Sequence, residues 1–275
     1  GGKKMVCAIG NANVQIYERI SIPTETPEIT VPKMIEYFKE KDIQALGIGC
    51  FGPIDLNRKS ETYGYITTTP KLAWKNYNIV GAFADALDIP VGFDTDVNGS
   101  ALGEATWGIT KGLDNSIYIT IGTGVGMGII SNGKLLHGML HPEGGHVLLT
   151  RHPKDTYGGK CPYHSNCLEG LAAGPAIEAR WGKKGIELAD KKEVWELEAY
   201  YIGQALVDCI MLLSPQRIVL GGGVMHQEHM MPLVREEVKK QLNGYLVTKE
   251  LEDLDSYIVL PSLNDNQGIM GALKL

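Results

Sequence analysis

Apolar positions along this chain recur with two alternating periods, one near two residues and one near 3.6, and the order of these stretches predicts the elements. Positions 5–9 and 14–20 read as the strands of a hairpin turned at Gly10-Asn11-Ala12-Asn13. Thr30 stands where a helix cap is expected, with Pro32 in the first turn and Met34, Ile35 and Phe38 on the apolar side. Positions 44–50 form a short apolar run of buried-strand type, ending in Phe51-Gly52-Pro53-Ile54-Asp55. A helix over 79–87 turns Val80, Phe83 and Leu87 inward, and a brief strand over 91–93 delivers Asp94-Thr95-Asp96-Val97-Asn98 to a helix of small residues at 99–107. Beyond a link at 108–115, positions 116–121 alternate like a strand and run into the glycine-rich turn 122–128. Gly174-Pro175 starts a helix through Trp181, and 194–213 is the longest helix, apolar on more than one side. A strand over 217–220, a helix from Pro232 to Leu242, a strand over 257–260 and a helix over 268–275 complete the chain.

Strands alternating with helices predict an α/β fold. The link predicts two domains, 1–112 and 113–275, with the last helix able to return to the first. A glycine-rich strand turn opens each half, Gly1-Gly2 before Met5 and the 122–128 turn after Ile121, which predicts two related domains facing each other across a cleft.

Composition narrows the class. At 275 residues, 44% hydrophobic and 21% charged, the chain has the make-up of a soluble globular protein. Its net charge of −6 argues against nucleic acid, whose phosphates are met by a basic face. No run of eighteen apolar residues exists to span a membrane, and no charged-then-apolar start marks a secretory signal. Five cysteines are an odd number, and Cys7, Cys50 and Cys209 lie in apolar runs as small core residues. A reducing cytoplasm is expected rather than a disulfide framework.

Chemistry concentrates in residues 141–170. A Glu-x-x-His pair (Glu143, His146) is followed by Cys161-x-x-His164-x-x-Cys167 and then Glu169. Thiolate and imidazole suit zinc, and the four ligands His146, Cys161, His164 and Cys167 would close a tetrahedral, structural site. His137, His141 and His152 are alternative fourth ligands. Such a metal would pin a Gly-, Pro- and Lys-rich loop, leaving Glu143 and Glu169 to accept hydrogen bonds from sugar hydroxyls.

Elsewhere the signals are weaker. Asp96, in a loop before a helix, suits a base that takes a hydroxyl proton during phosphoryl transfer, although its type and place taken alone favour a helix cap. Gly122-Thr123-Gly124 offers backbone N–H groups to an anion and lacks the Gly-Lys-Ser/Thr ending of a Walker loop. Gly221-Gly222-Gly223 either admits a flat base against backbone or simply turns a strand into a helix. Trp74, Phe51 and Trp107 fit a core or a pocket wall.

Together HPEGGH, CPYHSNCLEGLAAGPAIEARWG, DTDVNGSALGE, YITIGTGVG and VLGGGVM resemble the ROK family of sugar kinases over nearly the whole chain. TTTPKLAWKNYNI and the histidine inside the metal loop resemble its bacterial fructokinase branch, with manno- and glucokinases of the family as the alternative. The resemblance implies two actin/hexokinase-like, ribonuclease H-like α/β domains with ATP and a hexose meeting between them, structural Zn2+, Mg2+ carried with ATP, and a homodimer. It implies Asp96 as general base, and Asn98, Glu143, His146 and Glu169 as the sugar-binding set, His146 also ligating zinc. It implies Gly122, Thr123 and Gly124 as a phosphate loop, Gly221, Gly222 and Gly223 as the adenosine-side turn, and Pro175 in the nucleotide pocket. The family's first phosphate loop reads Asp-x-Gly-Gly-Thr-Lys at the end of a first strand. Here Gly2 and Lys4 remain of it, Lys3 stands where Thr is expected, and the acidic residue is missing. ROK-type sugar-responsive repressors carry an added DNA-binding segment, which the sequence does not display.

Overall fold

A computed structural model describes residues 4–275 and divides them into two compact α/β units. One holds the chain up to Gly112 together with Leu135–Pro142 and Ser262–Leu275, and the other holds Leu113–Lys134 and Glu143–Pro261. Residues 135–142 and 262–275, both beyond the 112/113 link, thus pack with the first unit.

In the first unit β1 (Lys4–Gly10) and β2 (Ile16–Pro23) pair antiparallel, Lys4 opposite Pro23, with an irregularity at Ile9/Gly10. α1 (Pro27–Lys39) starts after Thr26, four residues before the expected cap. The Thr30 hydroxyl accepts from the Glu25 N–H (2.9 Å) within the first turns, so it anchors the entry to the helix instead of ending it. Pro27 occupies the first helical position and Pro32 lies inside the helix, where it forgoes one backbone bond. β3 (Leu46–Cys50) precedes the small antiparallel pair β4 (Tyr65–Ile66) and β5 (Tyr77–Asn78). Asn78 caps α2 (Ile79–Leu87) by accepting from the Gly81 N–H at 2.8 Å. β6 (Val91–Thr95) lies parallel to β3, Leu46 beside Val91, and leads directly into α3 (Asp96–Trp107). Val31, Phe38, Ile54, Ile66, Trp74 and Phe83 fill the core between these elements.

The second unit is built on a five-stranded sheet. β7 (Ser116–Ile121) and β8 (Val125–Ser131) are antiparallel, and β9 (Lys134–Leu135) edges the sheet. The expected 122–128 turn closes sooner, because Gly126 and Gly128 already belong to β8 and pair with Thr120 and Tyr118. α4 (Leu168–Ala172), α5 (Gly174–Trp181) and the long α6 (Lys192–Leu213) follow. Then come β10 (Arg217–Gly221), α7 (Met230–Leu242), the short α8 (Lys249–Glu252) and α9 (Leu254–Tyr257), and β11 (Ile258–Val259). The sheet order is β11-β10-β7-β8-β9, with β10 parallel to both β7 and β11. α6 buries Trp195, Tyr201, Ile202 and Leu206, as its all-round apolar pattern requires.

The last helix, α10 (Gln267–Ala272), packs on α3 of the first unit through glycines. A Cβ at Gly103 would lie 2.3 Å from the Gln267 carbonyl oxygen, and one at Gly47 1.7 Å from that of Ala272. Only hydrogen side chains allow this approach. Among the described residues no helix is long and apolar enough to cross a membrane.

Candidate active site

Asp96 stands at the junction of β6 and α3. The cap of α3 is Thr95, whose hydroxyl accepts from the Asn98 N–H at 3.1 Å, so Asp96 is the first helical residue rather than the cap. One Asp96 carboxylate oxygen accepts from the Val97 N–H (2.9 Å). Its side chain borders a cavity of about 250 Å³ in the first unit, shared with Lys4, Arg19, Phe51 and Asp265. Asn98, two residues on, is fully buried. Gly2 lies outside the described residues, and Lys4 is the exposed first residue of β1.

Beside this junction lie Asp94, to which the sequence assigns no role, and His137, which it offers only as an alternative zinc ligand. Asp94 is buried; its Oδ1 accepts from the Thr95 N–H and from Asn98 Nδ2, each at 2.7 Å, and its Oδ2 pairs with His137 Nε2 at 2.8 Å. The i,i+4 spacing of Asp94 and Asn98 across a strand end was the available signal; nothing in sequence brings His137 there. The hydrogen bond that His137 donates to Asp94 raises the His137 pKa, with burial opposing. His141 is held otherwise. Its Nε2 accepts from the Ile54 N–H at 3.1 Å, and burial lowers its pKa, which keeps the ring neutral.

In the second unit Glu143 stands at the head of the 3-10 turn Gly144–His146, and its carbonyl accepts from the His146 N–H at 3.0 Å. The two glycines seat this turn on β8: a Cβ at Gly145 would lie 2.0 Å from the Val125 carbonyl oxygen, and one at Gly144 2.6 Å from the Met127 sulfur. His146 is thereby directed to the loop that carries Cys161, His164 and Cys167. The four ligand atoms lie within 4.8 Å of one another. Cys161 Sγ is 3.7 Å from both His146 Nδ1 and His164 Nδ1, and Cys167 Sγ is 3.7 Å from His146 Nδ1. A tetrahedral zinc with bonds of about 2.3 Å to sulfur and 2.0–2.1 Å to nitrogen has S···N edges of about 3.6 Å, so these residues fit that ion. Backbone N–H groups of Tyr163 and Gly170 approach the two sulfurs at 3.4 Å each, the support that thiolate charge requires. Burial, reinforced by Cys161 and Glu169, pushes the Cys167 thiol up to about 11, so a cation is what would make it ionise at neutral pH. The alternative ligands go elsewhere: His137 and His141 belong to the first unit, and His152 accepts from the Lys154 N–H and meets the Tyr200 ring.

Glu169 joins this cluster to the glycine turn. Its Oε1 is 3.9 Å from His146 Nε2, and its Oε2 accepts from the Val125 N–H at 2.9 Å. A Cβ at Gly124 would meet that Oε2 at 2.7 Å. The turn itself is closed by Gly122 N–H to Gly124 C=O (2.9 Å), with Thr123 at its tip. The Gly174 N–H donates to the Gly122 carbonyl at 2.8 Å, which sets the N-terminus of α5, with Pro175, against the turn. Gly222 has φ +91, and a Cβ there would lie 2.4 Å from the Ile121 carbonyl oxygen, so the 221–223 glycines close upon the end of β7. Two backbone turns and a helix start thus converge at the carboxyl ends of the parallel strands β7 and β10, where α/β sheets bind ligands.

The chain is 52% identical over 276 residues to a Bacillus subtilis (strain 168) protein provisionally named fructokinase, covering 100% of this chain and 92% of that one. It is 47% identical over 281 residues to the fructokinase of Streptococcus mutans, covering 100% and 94%. The fold is similar, with a TM-score of 0.76 and 23% identity, to a ROK family glucokinase from Streptomyces griseus solved with glucose and AMPPNP, covering 100% of this chain and 96% of that one. The ROK family profile matches residues 1–275, and this chain belongs to the ROK family.

Proposed function

We propose that this chain transfers the γ-phosphoryl group of ATP to the 6-hydroxyl of D-fructose, giving fructose 6-phosphate and ADP. The observation that carries the reading is full-length identity of about half with fructokinase-named proteins. The hydroxyl oxygen attacks the γ-phosphorus as its proton passes to the Asp96 carboxylate, and ADP leaves with the cleaved bond's electrons. Asn98, Glu143, His146 and Glu169 hold the sugar. Gly122, Thr123 and Gly124 form a phosphate loop, its turn closed by the Gly122 N–H on the Gly124 carbonyl, and Gly2 and Lys4 also serve the nucleotide. Pro175 and Gly221–Gly223 border the adenosine. Mg2+ arrives with ATP and neutralises phosphate charge.

Zn2+ on His146, Cys161, His164 and Cys167 is structural in this reading, since four protein ligands leave no open position. It immobilises the loop between Glu143 and Glu169. The working form is a cytoplasmic homodimer without nucleic-acid or membrane partners.

The test is a coupled ADP-release assay with Mg-ATP and fructose, mannose, glucose or N-acetylmannosamine. Turnover on fructose alone is expected. Turnover spread over mannose or glucose would replace the fructokinase reading by a manno- or glucokinase one, and none on any sugar would overturn the kinase reading.

A further inference from the structure

We propose that Asp94 is a positioning residue that sets the polarity of the Asn98 amide, with His137 as its brace; this rests on the reading of Asn98 as a sugar-binding residue. Asn98 is fully buried, and its Nδ2 donates to Asp94 Oδ1 at 2.7 Å. An ionised carboxylate only accepts, so the amide has one tolerable orientation: rotated by half a turn, its oxygen would face the Asp94 oxygen. The consequence lies at the other end of the amide. Asn98 Oδ1 is buried without a hydrogen-bond partner among the described residues. A buried acceptor left unpaired costs about 1–3 kcal/mol, and a donor from a bound molecule or a water would remove that cost. Asp94 therefore determines that Asn98 meets a sugar hydroxyl as an acceptor.

His137 completes the arrangement. Its Nε2 donates to Asp94 Oδ2 at 2.8 Å while lying 3.4 Å from Asn98 Nδ2. Both nitrogens are donors in this state, so their approach is a convergence of two N–H groups on one carboxylate. With the Thr95 N–H at 2.7 Å, three donors lock Asp94. His137 is carried by 135–142, so the brace ties that returning segment to the strand end beside Asp96.

The experiment compares wild type with Asp94→Asn, His137→Ala and His137→Gln. Asp94→Asn is expected to raise the fructose KM about tenfold or more and to leave the ATP KM within about twofold. His137→Ala should raise the fructose KM, and Gln, whose Nε2 replaces the lost donor, should return it toward wild type. An unchanged fructose KM in either Asp94→Asn or His137→Ala overturns the inference.

An activity-free readout separates this from failure of the kinase reading. Followed by NMR in the full chain, His137 should titrate above an ordinary histidine and drop toward it in Asp94→Asn. A His137 titration indifferent to Asp94 overturns the proposal even if every sugar is phosphorylated. A wild-type chain that phosphorylates none, with the His137 shift intact, overturns the kinase reading alone.

Discussion

A Cβ placed on Gly271 would fall 1.6 Å from the carbonyl oxygen of Gly99, so α10 and α3 touch backbone to backbone one turn from Asp96. Neither helix can accept a methyl there without moving. Gly271→Ala should cost about 1–3 kcal/mol, the range for overpacking a closed contact, or more because the opposing atom is main chain. A thermal melt checks this, with a midpoint several degrees lower expected. An unchanged midpoint would mean that the helices slide freely.

Asp96 is the residue on which the chemistry rests. Removing the base by Asp96→Asn should lower kcat by roughly 10²–10⁴-fold with little change in fructose KM. Steady-state kinetics decide it, and near-normal turnover would take Asp96 out of the role.

The metal cluster predicts both stoichiometry and consequence. Elemental analysis should find one zinc per chain, lost in Cys161→Ser. Chelation should loosen residues 147–166 and weaken fructose binding before the unit unfolds, because Glu169 lies between the cluster and the glycine turn. Fructose affinity that survives complete zinc removal would sever the two.

The histidines of 135–142 give stability opposite pH responses in separate windows. Asp94 raises the His137 pKa, so its contribution is fully present below about 6.5, the ordinary value, and fades as pH rises through the folded value. Burial lowers the His141 pKa, so the folded chain binds fewer protons; its contribution is complete above about 6.5 and is lost as pH falls below that. Urea titrations across pH should therefore show His137→Ala flattening the slope above 6.5 and His141→Asn flattening it below. Effects in the reversed windows would contradict the two assignments.

Thr95 caps α3 directly beside Asp96 and Asn98. Thr95→Ala should cost about 1 kcal/mol, the usual value of a cap. Its effect on fructose KM should exceed its effect on ATP KM, and steady-state kinetics with each substrate varied in turn would show it.

Local patterns made most of the fold legible. The 79–87 and 116–121 expectations match α2 and β7 to the residue, since both are strongly periodic segments with clear ends. The start of α1 was misplaced because Thr30 has the look of a cap while its hydroxyl is engaged inside the helix, and Thr26 has no side-chain cap bond to mark the true start. The metal cluster was legible because its three loop ligands are close in sequence; the choice of His146 over His137, His141 and His152 leaned on family resemblance. Asp94 with His137 was illegible, because their pairing spans 43 positions and depends on a loop return that no local signal encodes.

That return, and the one made by α10, bear on how the protein is made. Apart from 135–142, the second unit is one continuous stretch from Leu113 to Pro261, so it holds nearly all its partners once that stretch has left the ribosome. The first unit lacks α10, the partner of α3, until residues 262–275 have been synthesised as well. The helix that opens with Asp96 is therefore made early and completed late, and a message cut short before the codon of Ser262 would yield a finished second unit and an unfinished first.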